Sequence, residues 1–276
     1  MNPTFEGTDQ YVLDPELREV VNISIALEMP LLLKGEPGTG KTLLAHEIAR
    51  SLSMPLVVLN VKSSMKAVEA LYQYDTLTRL NDSRFGDSTR DVSNIRDYIK
   101  MGKIGQAFTS QERVVLLIDE IDKADTDFQD DLLDVLDQMA FDIVEVDDTI
   151  TAHKRPIIII TSNAKRDLSD PFLGRCTFHH IAFPDQFMMN RIVLAHYPDL
   201  DQKLLQMSIE IFYSLREVDR IEKKPATREL VNWIRALMIE DIPAEELLHR
   251  VPFLGVLVKK SSDLAAAKQT ISRPNR

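Results

Sequence analysis

The sequence predicts an α/β protein, a parallel sheet covered on both faces by helices in a three-layer arrangement, with a smaller helical domain after it. Three observations carry this. Near-continuous apolar runs recur at residues 30–34, 56–61 (LVVLNV), 113–118 (RVVLLI) and 157–161 (IIIIT). Runs that are apolar at nearly every position suit parallel strands buried on both faces, and helical patterns separate them. After Pro184 the strand pattern stops, and QFMMNRIVLAHY, KLLQMSIEIFYSLREV and TRELVNWIRALMIE all read as amphipathic helices. The expected division is an α/β domain over 1–185 and a helical domain over 186–276.

In chain order, a helix is expected over 14–28, then the strand at 30–34, then a helix over 42–53, where Leu44, Ile48, Ala49 and Leu52 repeat at helical spacing. The strand at 56–61 leads into a helix over 66–80. Residues 81–100, NDSRFGDSTRDVSNIRDYIK, are polar and turn-rich and read as an exposed insertion or mobile loop. The strand at 113–118 precedes a helix over 126–140, and the strand at 157–161 closes the β-rich part. From about residue 261 the chain is polar and reads as a fraying tail. There is no internal repeat and no low-complexity tract.

The composition narrows the function. With 276 residues, 44% apolar and 28% charged, the chain has room for one large domain or a large and a small one. A net charge of −10 argues against an electrostatic grip on nucleic acid, and the basic trio Lys259, Lys260 and Lys268 is too sparse to alter that. One cysteine, Cys176, allows no internal disulfide and fits a reducing compartment. The N-terminus lacks a basic-then-apolar leader pattern and no apolar run approaches a membrane span, so a cytoplasmic location is expected.

The stretch LLLKGEPGTGKTLLAHEIAR, residues 31–50, carries the strongest chemical signal. Gly35, four residues, then Gly40, Lys41 and Thr42 have the spacing of a phosphate-binding loop. Glycines let the backbone turn tightly and aim successive N–H groups inward at anionic oxygens. The helix that follows adds its positive end to the same spot. The whole segment Gly35, Glu36, Pro37, Gly38, Thr39, Gly40, Lys41, Thr42 and Leu43 is expected to hold a nucleotide, ATP. Lys41 reaches its outer phosphates and the Thr42 hydroxyl ligates Mg²⁺. A Gly-rich turn that binds nothing is the bland alternative, but the required strand and helix flank the loop.

Two further strand ends belong with the loop, since ligands of such sheets sit beyond the carboxyl ends of the strands. VVLLIDE ends a buried strand with Asp119 and Glu120. Asp119 suits a metal-holding role, usually through water, and Glu120 suits a general base for the attacking water. Acids also end strands simply because they are soluble, so the pair gains weight from the loop before it. IIIITSN ends the next strand with Asn163, whose amide either orients the water near Glu120 or serves as an ordinary turn residue.

The series GEPGTGKT, LLIDE, ITSN and DLSDPFLGRC resembles AAA+ ATPases, and among them the MoxR family. DLLDVLDQMAFDIVEVDDTITAHKRPIIIITSN is similar to that family's hairpin before the sensor strand, and VKSSMKAVEALYQYDTLTRL to its insertion in the second helix. ALYQYDTLTRL, IDKADTDFQDDLLDVL, TSNAKRDLSDPFLGRCTFHHIAFPD and PATRELVNWIRAL resemble the branch found beside carbon monoxide dehydrogenase. The similarity runs from about residue 12 to about residue 264. It implies a P-loop AAA+ core with a helical lid, and an oligomeric ring, usually a hexamer, with ATP at each subunit boundary. Arg175, in FLGRC, falls at the arginine finger, which reaches the neighbouring subunit's γ-phosphate. A helix-capping surface arginine is the alternative reading. Arg228, in PATREL, falls at a sensor position that touches nucleotide, against a plain helix-start arginine in a local ion pair. The resemblance also implies a partner with a von Willebrand factor A domain and a protein client, often a metalloenzyme under maturation.

Other features read as structural. Phe128, Leu132, Leu136 and Met139 share one helix face, with Asp127, Asp130, Asp131, Asp134 and Asp137 largely opposite, a solvated face rather than a cation site. Strand alternation sends Cys176, Phe178 and His180 one way and His179 the other, so no metal site converges there. Trp233 reads as core of the helical domain. The function expected is an ATP-hydrolysing ring that remodels a protein. A nucleotide-dependent switch or scaffold and a small-molecule kinase are the competing classes.

Overall fold

The computed structural model describes residues 3–9, 11–86, 90–163 and 166–271. The chain forms two compact units, one of Met1–Gly7, Leu13–Gly35 and Lys41–Ile181, the other of Thr8–Val12, Glu36–Gly40 and Ala182–Arg276. In place of a single cut at 185, two short early segments group with the later helices. The reason is local packing: a Cβ built on Gly38 would lie 2.5 Å from Ala226 Cβ, and one on Gly40 would lie 3.2 Å from the Tyr11 ring.

The first unit begins with α1 (Pro15–Leu27), β1 (Leu31–Lys34), α2 (Lys41–Ser51) and β2 (Leu56–Asn60). Asp14 starts α1 by accepting the Glu16 N–H at 2.8 Å, with Pro15 in the first turn where no N–H is needed. Then come α3 (Ala67–Leu71), β3 (Tyr72–Tyr74), α4 (Thr76–Phe85), β4 (Ile99–Met101) and α5 (Lys103–Phe108). They are followed by β5 (Val115–Asp119), α6 (Thr126–Gln138), β6 (Ala140–Ile143), β7 (Asp148–Thr151), β8 (Ile157–Ser162), α7 (Asp170–Gly174) and β9 (Thr177–His180).

Five of these strands make one parallel sheet in the order β2-β5-β8-β1-β9. Its two faces are covered separately, which gives the three layers. Leu32, Leu116, Ile118 and Ile160 join a core with Phe108 of α5 and Phe128 and Leu132 of α6. Leu31, Leu33, Leu117 and Ile159 face the other way and are fully buried, with α2 against β5 and β8 and α1 against β9. Because β5, β8 and β1 are adjacent, the segments after them emerge side by side at one edge.

Two expectations change here. The helix expected over 66–80 stops at Leu71, where Tyr72–Tyr74 turns into a strand paired antiparallel with Ile99–Met101. Aromatic side chains favour a pleated surface, and Tyr72 stacks on Phe141 with ring centroids 6.2 Å apart. Asp75 then starts α4 by accepting the Thr78 N–H at 3.0 Å and pairs with Lys100 at 2.5 Å. The segment read as an exposed insertion or loop over 81–100 is largely exposed, yet it holds the end of α4, a 3₁₀ turn at Ile95–Tyr98 and the start of β4. Its residues 87–89 lie outside the described residues. The β6–β7 pair is an antiparallel hairpin between α6 and β8, and the five aspartates of α6 face solvent as read.

The second unit is helical: α8 (Gln186–His196), α9 (Gln202–Arg216), α10 (Thr227–Ile239), α11 (Leu254–Leu257) and α12 (Ser261–Ile271). Trp233 is fully buried at its centre and donates Nε1–H to the Pro252 carbonyl at 2.7 Å. Of the tail expected to fray from 261, residues 261–271 form α12 and 272–276 lie outside the described residues. Asp263 anchors the helix by accepting the backbone N–H groups of Glu222 at 3.2 Å and Lys223 at 3.0 Å, and Ala267 is buried. Among the described residues no helix is long and apolar enough to cross a membrane.

Candidate functional site

The loop after β1 has the backbone its glycines require. Gly38 has φ +85° and Gly40 φ +90°, conformations that residues with a Cβ rarely adopt; a Cβ at Gly38 would collide with Ala226, and one at Gly40 would crowd the Tyr11 ring. The Thr39 hydroxyl donates to the Glu36 carbonyl at 3.0 Å. Lys41, the first residue of α2, is almost fully buried and donates Nζ to the Gly35 carbonyl at 2.8 Å. Burying an ammonium is costly unless it meets hydrogen-bond acceptors or an anion. Leu43 follows on α2 and is partly exposed.

The carboxyl ends of β5 and β8 supply the acids and their partners. Thr42 donates its hydroxyl to Asp119 Oδ1 at 2.9 Å, and Thr161 donates to the same oxygen at 2.6 Å. Thr161 also accepts the Glu120 N–H at 2.9 Å, so one hydroxyl sets both acids. Thr42 and Asp119 thereby present adjacent hard oxygen ligands of the kind a small divalent cation takes. Among the described residues no group of three His, Cys, Asp or Glu side chains converges as an all-protein cage.

Glu120 sits in the left-handed region with φ 60° and ψ 51°. For a side-chain-bearing residue that costs about 1–3 kcal/mol and persists only where neighbours enforce it. Asn163 donates Nδ2 to Glu120 Oε1 at 2.8 Å, and Lys123 forms an ion pair with Oε2. The carboxylate in turn holds the Lys123 ammonium above the usual lysine range through that hydrogen bond. Asp122, buried, accepts the Asn163 backbone N–H at 3.1 Å, which fixes the residue carrying the amide.

Arg175 bonds elsewhere within the first unit. Arg175 ends α7, donating Nε to Asp137 at 3.2 Å and a guanidinium nitrogen to the Pro171 carbonyl at 3.2 Å. In the second unit Arg228 is exposed in the first turn of α10, just after the residues Ala226 and Thr227 that Gly38 packs against. That unit also holds an arginine that no sequence motif marks. Arg216 lies 3.4 Å over the Phe183 ring and pairs with Glu36 of the loop at 2.8 Å. The roles of Thr161, Lys123 and Asp122 likewise emerge only in the structure. A hydroxyl inside the apolar run IIIITS was the signal for the first, and nothing local marked the others.

A family model described as ATPase family associated with various cellular activities (AAA) matches residues 31–184. Midasin of Dictyostelium discoideum is 38% identical over 104 residues, 34% of this chain and 2% of Midasin. The chain thus spans a very small part of that relative's length.

Proposed function

The chain belongs to the AAA family of ATPases, and from that premise we propose that it hydrolyses ATP with Mg²⁺ and uses the turnover to remodel a protein client. The observation that carries the reading is the Asn163–Glu120 hydrogen bond at 2.8 Å beside the Thr42–Asp119 contact at 2.9 Å. In this reading the N–H groups of residues 35–42 cradle the phosphates and Lys41 exchanges the Gly35 carbonyl for their outer oxygens. Thr42 and Asp119 would hold Mg²⁺, which supplies charge neutralisation at the phosphates when bound. Glu120 takes a proton from the attacking water, and Asn163 keeps that carboxylate turned toward it. Arg228, beside the loop's Gly38 contact, would touch nucleotide.

The finer part of the proposal is a ring of MoxR type, six copies in the resemblance, with Arg175 leaving Asp137 to reach a neighbour's phosphate. The β6–β7 hairpin before β8 and the α3–β3–α4 segment favour it, since the family resemblance calls for an insertion at both places. A von Willebrand A-domain partner and a metalloenzyme client follow from the same resemblance, and co-purification with such a partner is the test. For hydrolysis the test is Glu120→Gln, measured by ATP binding and phosphate release. Retained binding with turnover lowered at least about a hundredfold is the expected result. Normal turnover would remove Glu120 from the mechanism.

A further inference from the structure

A cleft of about 510 Å³ opens where the chain leaves β2, β5 and β8, lined by Val61, Lys62, Ser63, Asp122, Lys123 and Arg166. Among these described residues Lys62, Lys123 and Arg166 are cations, in a chain of net charge −10. Lys62 and Arg166 are exposed, and among the described residues neither has a carboxylate partner; Arg166 reaches the Ala124 carbonyl at 3.5 Å. Asp122, the acid of the lining, is 1% exposed, with its carboxylate on the Asn163 N–H. Lys123 joins the cleft to the candidate chemistry, because its ammonium pairs with Glu120. Cations lining a concave wall concentrate small anions. Val61 is buried, and among the described residues no aromatic ring lines the cleft to stack a base or seat a peptide.

We propose that this cleft holds the orthophosphate released by hydrolysis on its way out, a proposal that rests on the hydrolytic reading above. In the chemical step a bond forms between the water oxygen and the γ-phosphorus, and the bond from that phosphorus to the bridging oxygen breaks. The water proton passes to Glu120. The phosphate dianion so released meets the cations that line the cleft, Lys62, Lys123 and Arg166. Glu120 passes that proton on to solvent, which returns the site to its starting state.

The test is a calorimetric titration of orthophosphate into protein saturated with ADP and Mg²⁺, comparing wild type, Lys62→Met/Arg166→Met and Lys41→Ala. Steady-state ATP turnover is measured on the same preparations. Binding to wild type, weakened at least about tenfold in the double variant by the loss of two charge-assisted contacts, is the expected result. Phosphate should also inhibit wild-type turnover without competing with ATP, and the double variant should resist that inhibition by a similar factor. Equal phosphate affinity in wild type and double variant, or binding abolished by Lys41→Ala alone, would overturn the proposal and leave hydrolysis intact. Cleft binding in a protein with no ATP turnover would instead overturn the hydrolytic reading and the product role with it.

Discussion

The Asn163 amide lies 2.8 Å from Glu120 Oε1, a contact between the ends of two adjacent parallel strands. Asn163 is itself held by the buried Asp122 carboxylate, and Glu120 by the Thr161 hydroxyl. The carboxylate therefore points where the sheet directs it, although its backbone is in an unfavourable conformation. Replacing Asn163 with Ala should leave ATP binding nearly unchanged and lower turnover by about a hundredfold, the usual effect of letting a catalytic group drift by an ångström. Nucleotide titration with single-turnover kinetics separates the two quantities, and a variant with wild-type turnover would assign Asn163 to the turn alone.

Lys41 is expected to act on binding. Lys41→Ala removes the one buried ammonium of the loop, so ATP affinity should fall by at least about tenfold, as expected for a lost charge-assisted contact. Equilibrium dialysis with a labelled nucleotide reads this directly. Undiminished affinity would count against the phosphate cradle.

Arg175 tests assembly. If it acts on a neighbour, Arg175→Ala binds ATP nearly normally and loses hydrolysis. Mixing Arg175→Ala subunits with Glu120→Gln subunits then creates some boundaries that hold both intact residues, and the mixture should exceed either variant alone. Turnover per subunit should also rise with protein concentration until the assembly is saturated. A confirmed monomer with concentration-independent turnover and no gain on mixing would assign Arg175 to its contacts with Asp137 and Pro171.

Cys176 should be chemically quiet. Burial pushes its thiol up to about 12, so at pH 8 roughly one molecule in ten thousand carries the reactive thiolate. Alkylation by iodoacetamide at that pH should be slow in the folded protein and fast after urea unfolding. Raising the pH toward 10 should speed the folded-state reaction, because more of the thiol ionises. Rapid labelling at pH 8 would show an exposed, ordinary thiol.

The features legible in the sequence are those whose physics is local. The runs at 30–34, 56–61, 113–118 and 157–161 announce buried strands because both faces of each must be apolar, and β1, β2, β5 and β8 lie there. The 35–42 spacing is likewise a property of one short stretch, since tight turns need residues free to adopt φ near +85° and +90°. Parallel strands with helical crossovers also made it predictable that Asp119, Glu120 and Asn163 would emerge together. Tertiary structure alone decided what holds them. Thr161 reaches Asp119 across 42 positions of sequence, and Asp263 docks α12 on a turn 40 positions earlier. Residues 66–80 carried enough apolar periodicity for one helix, but Tyr72–Tyr74 gains a partner strand at 99–101 that no window of sequence contains. A polar end such as α12, or a break such as β3, is stabilised by contacts whose partners lie far along the chain. Their energy appears only once the sheet and the helical core have brought those partners within reach.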